Sequence, residues 1–244
     1  MKYLLAISTF LFLFSCKTEK DTFQLETGEE YFPLTVGKYV EYEMDSTIYD
    51  PNGMEMVRQS ITQLREEIVD TLRNANDELI YKIEQFTRFG DTTPWTIQNV
   101  YTTSITNNQA QRTEENLKFI KMTFPLRDNQ SWNGNAFIDE GTIVTVAGET
   151  IEMFKGWDYR VKEVDLVDTI GGQIFEPVVL IEQADNENAI ELRRSVEKYA
   201  PNVGLIYKEI SIFDTQCIEG CEGQPWSEKA EKGFTLIQKI LNYN

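Results

Sequence analysis

The chain has 244 residues, 41% of them hydrophobic, and a formal net charge of −17. This length and hydrophobic content suit one domain with a sizeable core, and the acidic balance argues against binding nucleic acid or anionic lipid head groups directly. The chain contains no histidine, which excludes Ser-His-Asp and Cys-His catalysis and imidazole metal sites.

The N-terminal residues have the pattern of an export signal. Lys2 precedes a nearly continuous apolar run over residues 3–14, which is too short to cross a bilayer as a helix. The run ends in Leu13-Phe14-Ser15-Cys16, which resembles the lipobox of bacterial lipoproteins, where the cysteine sulfur is acylated and the chain is cut before it. We expect residues 1–15 to be a lipoprotein signal peptide and Cys16 to be the site of lipid attachment. An ordinary signal peptide with a cysteine near its cleavage site is the alternative.

Residues 16–30 are polar and charged, and we predict that they form a flexible tether. Residues 31–244 would then form a single antiparallel β domain. Two or more acyl chains hold a protein stably on a membrane because each buried methylene contributes about 0.8 kcal/mol. We therefore expect a cell-envelope protein that is lipid-anchored to the outer membrane, on a face that the sequence does not indicate.

Alternation of apolar and polar residues predicts most of the domain as strands. Residues 40–48 alternate and end at the turn Asp50-Pro51-Asn52-Gly53. Further strands are predicted at 79–89, 95–105, 117–124, 159–167, 173–183, 190–199, 204–213 and 233–243. Hairpin-length turns separate them, so we predict a mainly β fold with little helix, built as one large, curved antiparallel sheet of the open or half-barrel type.

Residues 54–73 are ambiguous. Their apolar residues recur at helical spacing, at Val57, Ile61, Leu64, Ile68 and Leu72. As a strand the same segment alternates only in part. The periodicity by itself predicts a helix.

Three segments together resemble uncharacterised Gram-negative lipoproteins with an open-barrel fold like that of LolA and LppX. They are residues 31–39 (YFPLTVGKY), 132–135 (WNGN) and 199–209 (YAPNVGLIYKE). The resemblance implies a sheet curled around an apolar cavity, strand rather than helix at 54–73, and no particular activity. One departure is Val40, where such proteins often have tryptophan.

Cys217 and Cys221 lie between the last two predicted strands. A soft-donor metal site would need more ligands than a chain without histidine offers, so we interpret the pair as a disulfide in an exported protein. Closing so short a loop stabilises the fold by only about 2 kcal/mol. Residues 185–188 (DNEN) predict a hairpin turn, with a weak Ca²⁺ site as the alternative. We expect no metal and no cofactor.

Three functions fit these observations. The first is a non-enzymatic binding module whose curved sheet holds an apolar or amphiphilic ligand. The second is an adaptor lipoprotein with a packed core and a protein partner. A carboxylate-dependent glycoside hydrolase is a remote third, since adjacent acids such as Glu66-Glu67 and Glu114-Glu115 are expected on the surface of an acidic chain. We predict no catalytic residues, and the pattern does not identify the ligand-binding ones.

Overall fold

The structure is a computed structural model that describes residues 27–244. The predicted signal peptide, Cys16 and most of the predicted tether lie outside the described residues. Within residues 27–244, no helix has both the length and the apolar character needed to cross a membrane.

Strands make up most of the described chain. Helical structure in this part is limited to a 3₁₀ turn at Glu29–Tyr31 and one short helix, α1, at Trp226–Lys229. The strands are β1 (Tyr39–Tyr49), β2 (Val57–Arg73), β3 (Leu79–Arg88), β4 (Thr96–Thr106), β5 (Gln109–Glu114), β6 (Leu117–Thr123), β7 (Ser131–Trp132), β8 (Ile143–Val146), β9 (Glu149–Glu152), β10 (Tyr159–Ile170), β11 (Gln173–Glu187), β12 (Glu191–Ala200), β13 (Gly204–Asp214) and β14 (Lys232–Tyr243).

Twelve strands form one antiparallel sheet in the order β6-β5-β4-β3-β2-β1-β14-β13-β12-β11-β10-β7. Most neighbours are consecutive hairpin partners, and the pairing of β1 with β14 joins the two halves of the chain. Tyr42 of β1 shows how they meet, because it lies opposite Leu64 of β2 on one side and Ile240 of β14 on the other. The predicted fold class, a large curved antiparallel sheet with little helix, is confirmed.

The sheet curls until its two edge strands, β6 and β7, nearly meet. Four hydrogen bonds link the two edges, the longest from the Gln130 side-chain amide to the Thr123 carbonyl at 3.4 Å. The Ile120 amide donates to the Gly134 carbonyl at 2.8 Å, and the Trp132 indole donates to the Ile120 carbonyl at 2.8 Å. The Gln130 side-chain amide donates to the Thr123 hydroxyl at 2.8 Å. The result is a nearly closed, barrel-like sheet.

Residues 57–73 are extended, so the helix predicted from periodicity is wrong and the strand implied by the resemblance is confirmed. Strand β2 is paired along nearly its whole length, with β1 over its first half and with β3 over its second. These ladders satisfy the main-chain groups of the strand, and such tertiary pairing outweighs local periodicity. Inward positions alternate as Leu64, Glu66 and Ile68, all of which line one cavity.

A hairpin that the sequence did not predict packs against the barrel-like sheet. Strands β8 and β9 pair only with each other. Ile151 of β9 is fully buried in a cluster with Ile210 and Ile212 of β13. Strand β5 was also not predicted, because its polar sequence lacks an apolar alternation.

The turn predicted at 185–188 begins later than expected. Asp185 and Glu187 belong to β11, and the chain turns over residues 188–190. The Asn188 side chain accepts hydrogen bonds from the amides of Ile190 and Glu191, at 2.9 and 3.0 Å. In the described part of the chain, no cluster of three or more acidic or cysteine side chains is placed to hold a metal ion.

The last residues of the predicted tether pack on the sheet. The Leu126 amide donates to the Thr27 carbonyl at 3.1 Å, and the Asn202 amide donates to the Glu30 carbonyl at 2.7 Å. Gly28 has φ +83°, and a Cβ there would lie 2.8 Å from the Leu126 side chain. Contacts with the domain therefore begin by Thr27.

Candidate functional site

A cavity of about 270 Å³ lies inside the barrel-like sheet and is partly open to solvent. Strands β1, β2, β3, β12, β13 and β14, which are neighbours in the sheet, form most of its wall, and β4, β5 and β6 supply the rest. Residues 32–34, which follow the N-terminal 3₁₀ turn, also line it. Interiors are normally packed with few voids larger than a water molecule, so a space of this size calls for an explanation.

Much of the lining is apolar. Because successive residues of a strand face opposite sides, alternate positions of β1 and β2 supply several of these side chains. The apolar lining residues are Phe32, Pro33, Leu34, Val40, Met44, Leu64, Ile68, Ile83, Val203, Leu205 and Leu236.

The rest of the wall includes three acidic and three basic side chains on inward positions of five strands, besides Lys38, which precedes β1 and donates to the Asn244 carbonyl at 3.1 Å. Charged side chains are rarely buried unless they are paired. These six are Glu66, Arg112, Glu114, Lys121, Glu197 and Lys208, which we call the ionic network.

Arg112 organises one half of the ionic network. Its Nη1 and Nη2 donate to the two carboxylate oxygens of Glu66 at 2.8 and 2.6 Å, and its Nε donates to Glu114. Such fork-like pairing is among the stronger hydrogen-bond arrangements. Burial lowers the pKa of Arg112, but Glu66 and Glu114 raise it further, so the pKa lies well above its ordinary value. Arg112 is therefore held in its charged form.

Glu197 organises the other half from across the interior. Its Oε1 accepts from Lys121 of β6 at 2.6 Å, and its Oε2 accepts from the Tyr199 hydroxyl at 2.6 Å. Lys208 Nζ lies 3.6 Å from the same Oε1. Burial raises the pKa of Glu197, yet Lys121 and Lys208 outweigh this and lower it. For Lys121 burial is the larger effect, and its pKa is lowered although Glu197 opposes the shift.

The ionisation of Glu114 makes the stability of the fold depend on pH. Burial raises the pKa of its carboxyl, but Arg112, then Lys208 and Lys121, lower it more, from the ordinary 4.5 to about 2. Since the folded-state pKa lies below the unfolded value, the folded protein binds fewer protons than the unfolded chain in this range. The stabilisation is present above pH about 4.5 and is lost as the pH falls towards about 2.

Glu114→Gln should therefore make stability less dependent on pH between about 4.5 and 2. Thermal unfolding followed by circular dichroism across this range measures the effect. Glu115→Gln, at an exposed turn position beside it, is the matched control and should keep the pH dependence of the parent. Equal slopes for Glu114→Gln and the parent would contradict the assignment.

The residues predicted as sites from the sequence lie elsewhere. Cys217 and Cys221 are joined in a disulfide, with Cα atoms 5.9 Å apart, in the loop between β13 and α1. They do not line the cavity, and Cys16 lies outside the described residues. Of the two acidic pairs weighed for hydrolysis, Glu66 and Glu114 line the cavity, whereas Glu67 pairs with Arg65 instead. Sequence reasoning missed the basic members of the ionic network and Glu197.

Comparisons with known proteins return little. No protein-family profile and no curated protein matches the chain. One similar solved structure is a protein described as exported and with a YmcC-like fold, from Bacteroides fragilis, with a TM-score of 0.40 and 8% identity over 87% of this chain and 97% of that one. Another, described as a lipoprotein from Parabacteroides distasonis, has a TM-score of 0.36 and 12% identity over 88% of this chain and 98% of that one. Neither likeness carries an inference about function.

Proposed function

We propose that the protein is a non-enzymatic, lipid-anchored protein of the cell envelope that binds an amphiphilic molecule in its cavity. The observation that supports this most is the lining itself, which places apolar side chains and the ionic network around one space of about 270 Å³. Ligand sites typically combine an apolar lining with a few polar groups that orient the ligand.

The size of the cavity suits a small amphiphile. A dry cavity of about 150 Å³ binds benzene, so by proportion this one has room for about ten to twelve non-hydrogen atoms. An apolar chain would replace water against residues such as Leu64 and Ile68, while a polar head would lie near the ionic network. A wholly apolar ligand would offer no polar group to the charged side chains of the ionic network.

Packing favours binding over the adaptor function. An adaptor would have its concave face filled by its own side chains. One part of the interior is filled in this way, around Met122, Tyr159 and Ile181. The part that β1–β3 and β12–β14 enclose stays hollow, which supports a ligand there.

The ionic network also argues against hydrolysis. A glycosidase needs one carboxyl with a raised pKa to act as general acid. The pKa of Glu114 is instead held at about 2 by Arg112 and its neighbours. Glu66 accepts two hydrogen bonds from the same guanidinium. Both carboxylates are thus engaged with Arg112, which suits a structural and binding role.

A bulky side chain in the cavity should weaken binding at least tenfold. Val40 lines the cavity and is only half-buried, so Val40→Trp has room to fill part of the space without displacing a packed core. The experiment uses the chain from residue 17 onward, which contains every described residue. Isothermal titration calorimetry with decanoate should show saturable one-to-one binding by the parent and at least a tenfold loss in Val40→Trp, roughly 1.4 kcal/mol.

Val100→Trp is the matched control, because Val100 is exposed on β4 outside the cavity. It should bind as the parent does. Native mass spectrometry of the purified parent should also find a co-purifying amphiphile. If no ligand is found by either method, the adaptor function replaces the binding one.

The lipid anchor is tested separately. Cys16→Ala removes the thiol that the motif at residues 13–16 would present for acylation. We expect the variant to lack the added mass of the lipid and to move from the membrane fraction to the soluble fraction. The parent fractionated in parallel is the reference. Unchanged membrane partitioning of Cys16→Ala would contradict the anchor, and outer-membrane placement would show as co-fractionation with outer-membrane porins.

A further inference from the structure

Two polar side chains in the cavity have hydrogen-bonding capacity that the protein itself does not use. Lys208 of β13 and Gln238 of β14 lie directly opposite each other in the ladder between these strands. Both line the cavity. Side chains at directly opposite positions of an antiparallel pair are close neighbours, so the two form one patch of the wall.

Lys208 is the cation of the ionic network without a hydrogen bond. Among residues 27–244, no acceptor lies within hydrogen-bond distance of its Nζ, and its closest ionic contact is Glu197 Oε1 at 3.6 Å. That oxygen already accepts from Lys121 at 2.6 Å, and the other oxygen of Glu197 accepts from Tyr199. The three N–H groups of Lys208 are therefore free to bind a ligand in the cavity.

Gln238 is equally unsatisfied. Its residue is only 5% exposed, and its side-chain amide makes no hydrogen bond to any other described residue. Its amide atoms are not among the fully buried, unpaired ones of the described residues, so solvent or a ligand in the cavity can reach them. Its NH₂ group is a donor, like the Lys208 ammonium beside it.

The other charges of the ionic network are already engaged. Glu66 and Glu114 accept from Arg112, and Glu197 accepts from Lys121 and Tyr199. The six charges of the ionic network sum to zero, and the remaining charged lining residue, Lys38, already donates to the Asn244 carbonyl, so the unused donors decide where a head group binds. Both unused groups present N–H donors, and one of them is positively charged.

We propose that Lys208 and Gln238 bind the carboxylate head of an anionic amphiphile, an inference that rests on the proposed function. One carboxylate oxygen accepts from the Lys208 ammonium, and the other accepts from the Gln238 amide. The apolar chain then lies along Met44, which is opposite Gln238 on β1, and Leu236, which precedes Gln238 on the same face of β14. Two oxygens match two donors, whereas a doubly charged head would meet Glu197 at close range.

Three ligands that share one alkyl chain separate the contribution of the head group to the affinity from that of the chain. They are decanoate, decanol and decyltrimethylammonium, each titrated calorimetrically into the chain from residue 17 onward. Hydrogen bonds to charged groups are stronger than those between neutral groups. Decanoate should therefore bind about tenfold more tightly than decanol, and decyltrimethylammonium should have the lowest affinity of the three. Lys208→Met should lower the affinity for decanoate about tenfold and leave the affinity for decanol unchanged.

Lys239→Met is the matched control, since Lys239 is the next residue after Gln238 but is exposed, and it should bind all three ligands as the parent does. Gln238→Leu should weaken decanoate binding several-fold and provides a second test if Lys208→Met unfolds, which circular dichroism would reveal. Decyl phosphate is titrated as a fourth ligand and should bind less tightly than decanoate.

The outcomes are distinguishable. If decanol binds as tightly as decanoate, or if Lys208→Met and Gln238→Leu both bind decanoate as the parent does, the cavity binds amphiphiles but the head-group assignment is wrong. Tighter binding of decyl phosphate than of decanoate also overturns it, in favour of a phosphate head. If none of the ligands binds, the proposed function fails and this inference fails with it.

Discussion

Glu197→Gln is expected to lower the free energy of unfolding by about 3–5 kcal/mol, because it leaves buried positive charge without its counter-ion. Glu197 is 1% exposed and accepts a hydrogen bond from Lys121 at 2.6 Å, while Lys208 lies 3.6 Å away. A neutral amide at this position keeps the volume but removes the charge that both ammonium groups face. Urea denaturation with an unchanged m-value would measure the loss.

The control is an ion pair of the same kind on the outer surface. Asp185 pairs with Arg194 at 3.3 Å, but the Asp185 side chain is 59% exposed. Solvent screens such a pair, so Asp185→Asn should cost no more than about 1 kcal/mol. Adding Lys121→Met to Glu197→Gln should recover part of the loss, since both members of the closest pair are then gone. Equal effects of Glu197→Gln and Asp185→Asn would contradict a buried network.

Gly233→Ala is expected to lower the free energy of unfolding by about 3 kcal/mol or more. Gly233 is the second residue of β14 and lies opposite Tyr49 of β1 and Phe213 of β13. Its φ is +133°, which side-chain-bearing residues rarely adopt, and a Cβ would lie 2.0 Å from the Ile212 carbonyl oxygen. That oxygen belongs to the main chain of β13 and moves only if the ladder between β13 and β14 is disturbed.

Gly90→Ala measures the cost of placing a side chain at a positive φ without the steric contact that Gly233→Ala also creates. Gly90 has φ +72°, but nothing lies within 4 Å of the position that a Cβ would take. We therefore expect it to cost only about 1–2 kcal/mol, the penalty of a left-handed backbone. Thermal unfolding of both variants gives the comparison. Equal losses of stability would show that β13 accommodates a Cβ at residue 233 at no cost in free energy.

The strands were predictable where apolar residues alternate, but residues 57–72 show why periodicity can mislead. Of the five residues that produced the helical spacing, Val57, Ile61 and Leu72 are exposed, Ile61 by 63%. The two that are buried, Leu64 and Ile68, are four residues apart, a spacing that suits a strand as well as a helix. The pattern therefore came from apolar residues on the outer face, and only the neighbouring strands decide between the two structures.

The ionic network was missed because charged residues are normally assigned to solvent. A signal for it exists in the sequence. On β13, Lys208 lies in phase with Ile206, Ile210 and Ile212, all of which are buried, and on β2 Glu66 lies between Leu64 and Ile68. A single charge within an inward apolar row indicates a polar position inside the fold. Which opposite charge it meets depends on the register of distant strands, which the sequence does not reveal.

The contact between β6 and β7 has a consequence for how the fold moves. Most neighbouring strands are joined by long ladders, as between β1 and β2, whereas one main-chain bond and three side-chain bonds link β6 to the segment around β7. Local opening takes the route that breaks the fewest bonds. We therefore expect local opening of the sheet to occur along the line where its two edges meet. Lys121 lies on β6, and its bond to Glu197 ties this edge to β12 from inside the sheet, so we expect the loss of that bond to make opening along this line easier.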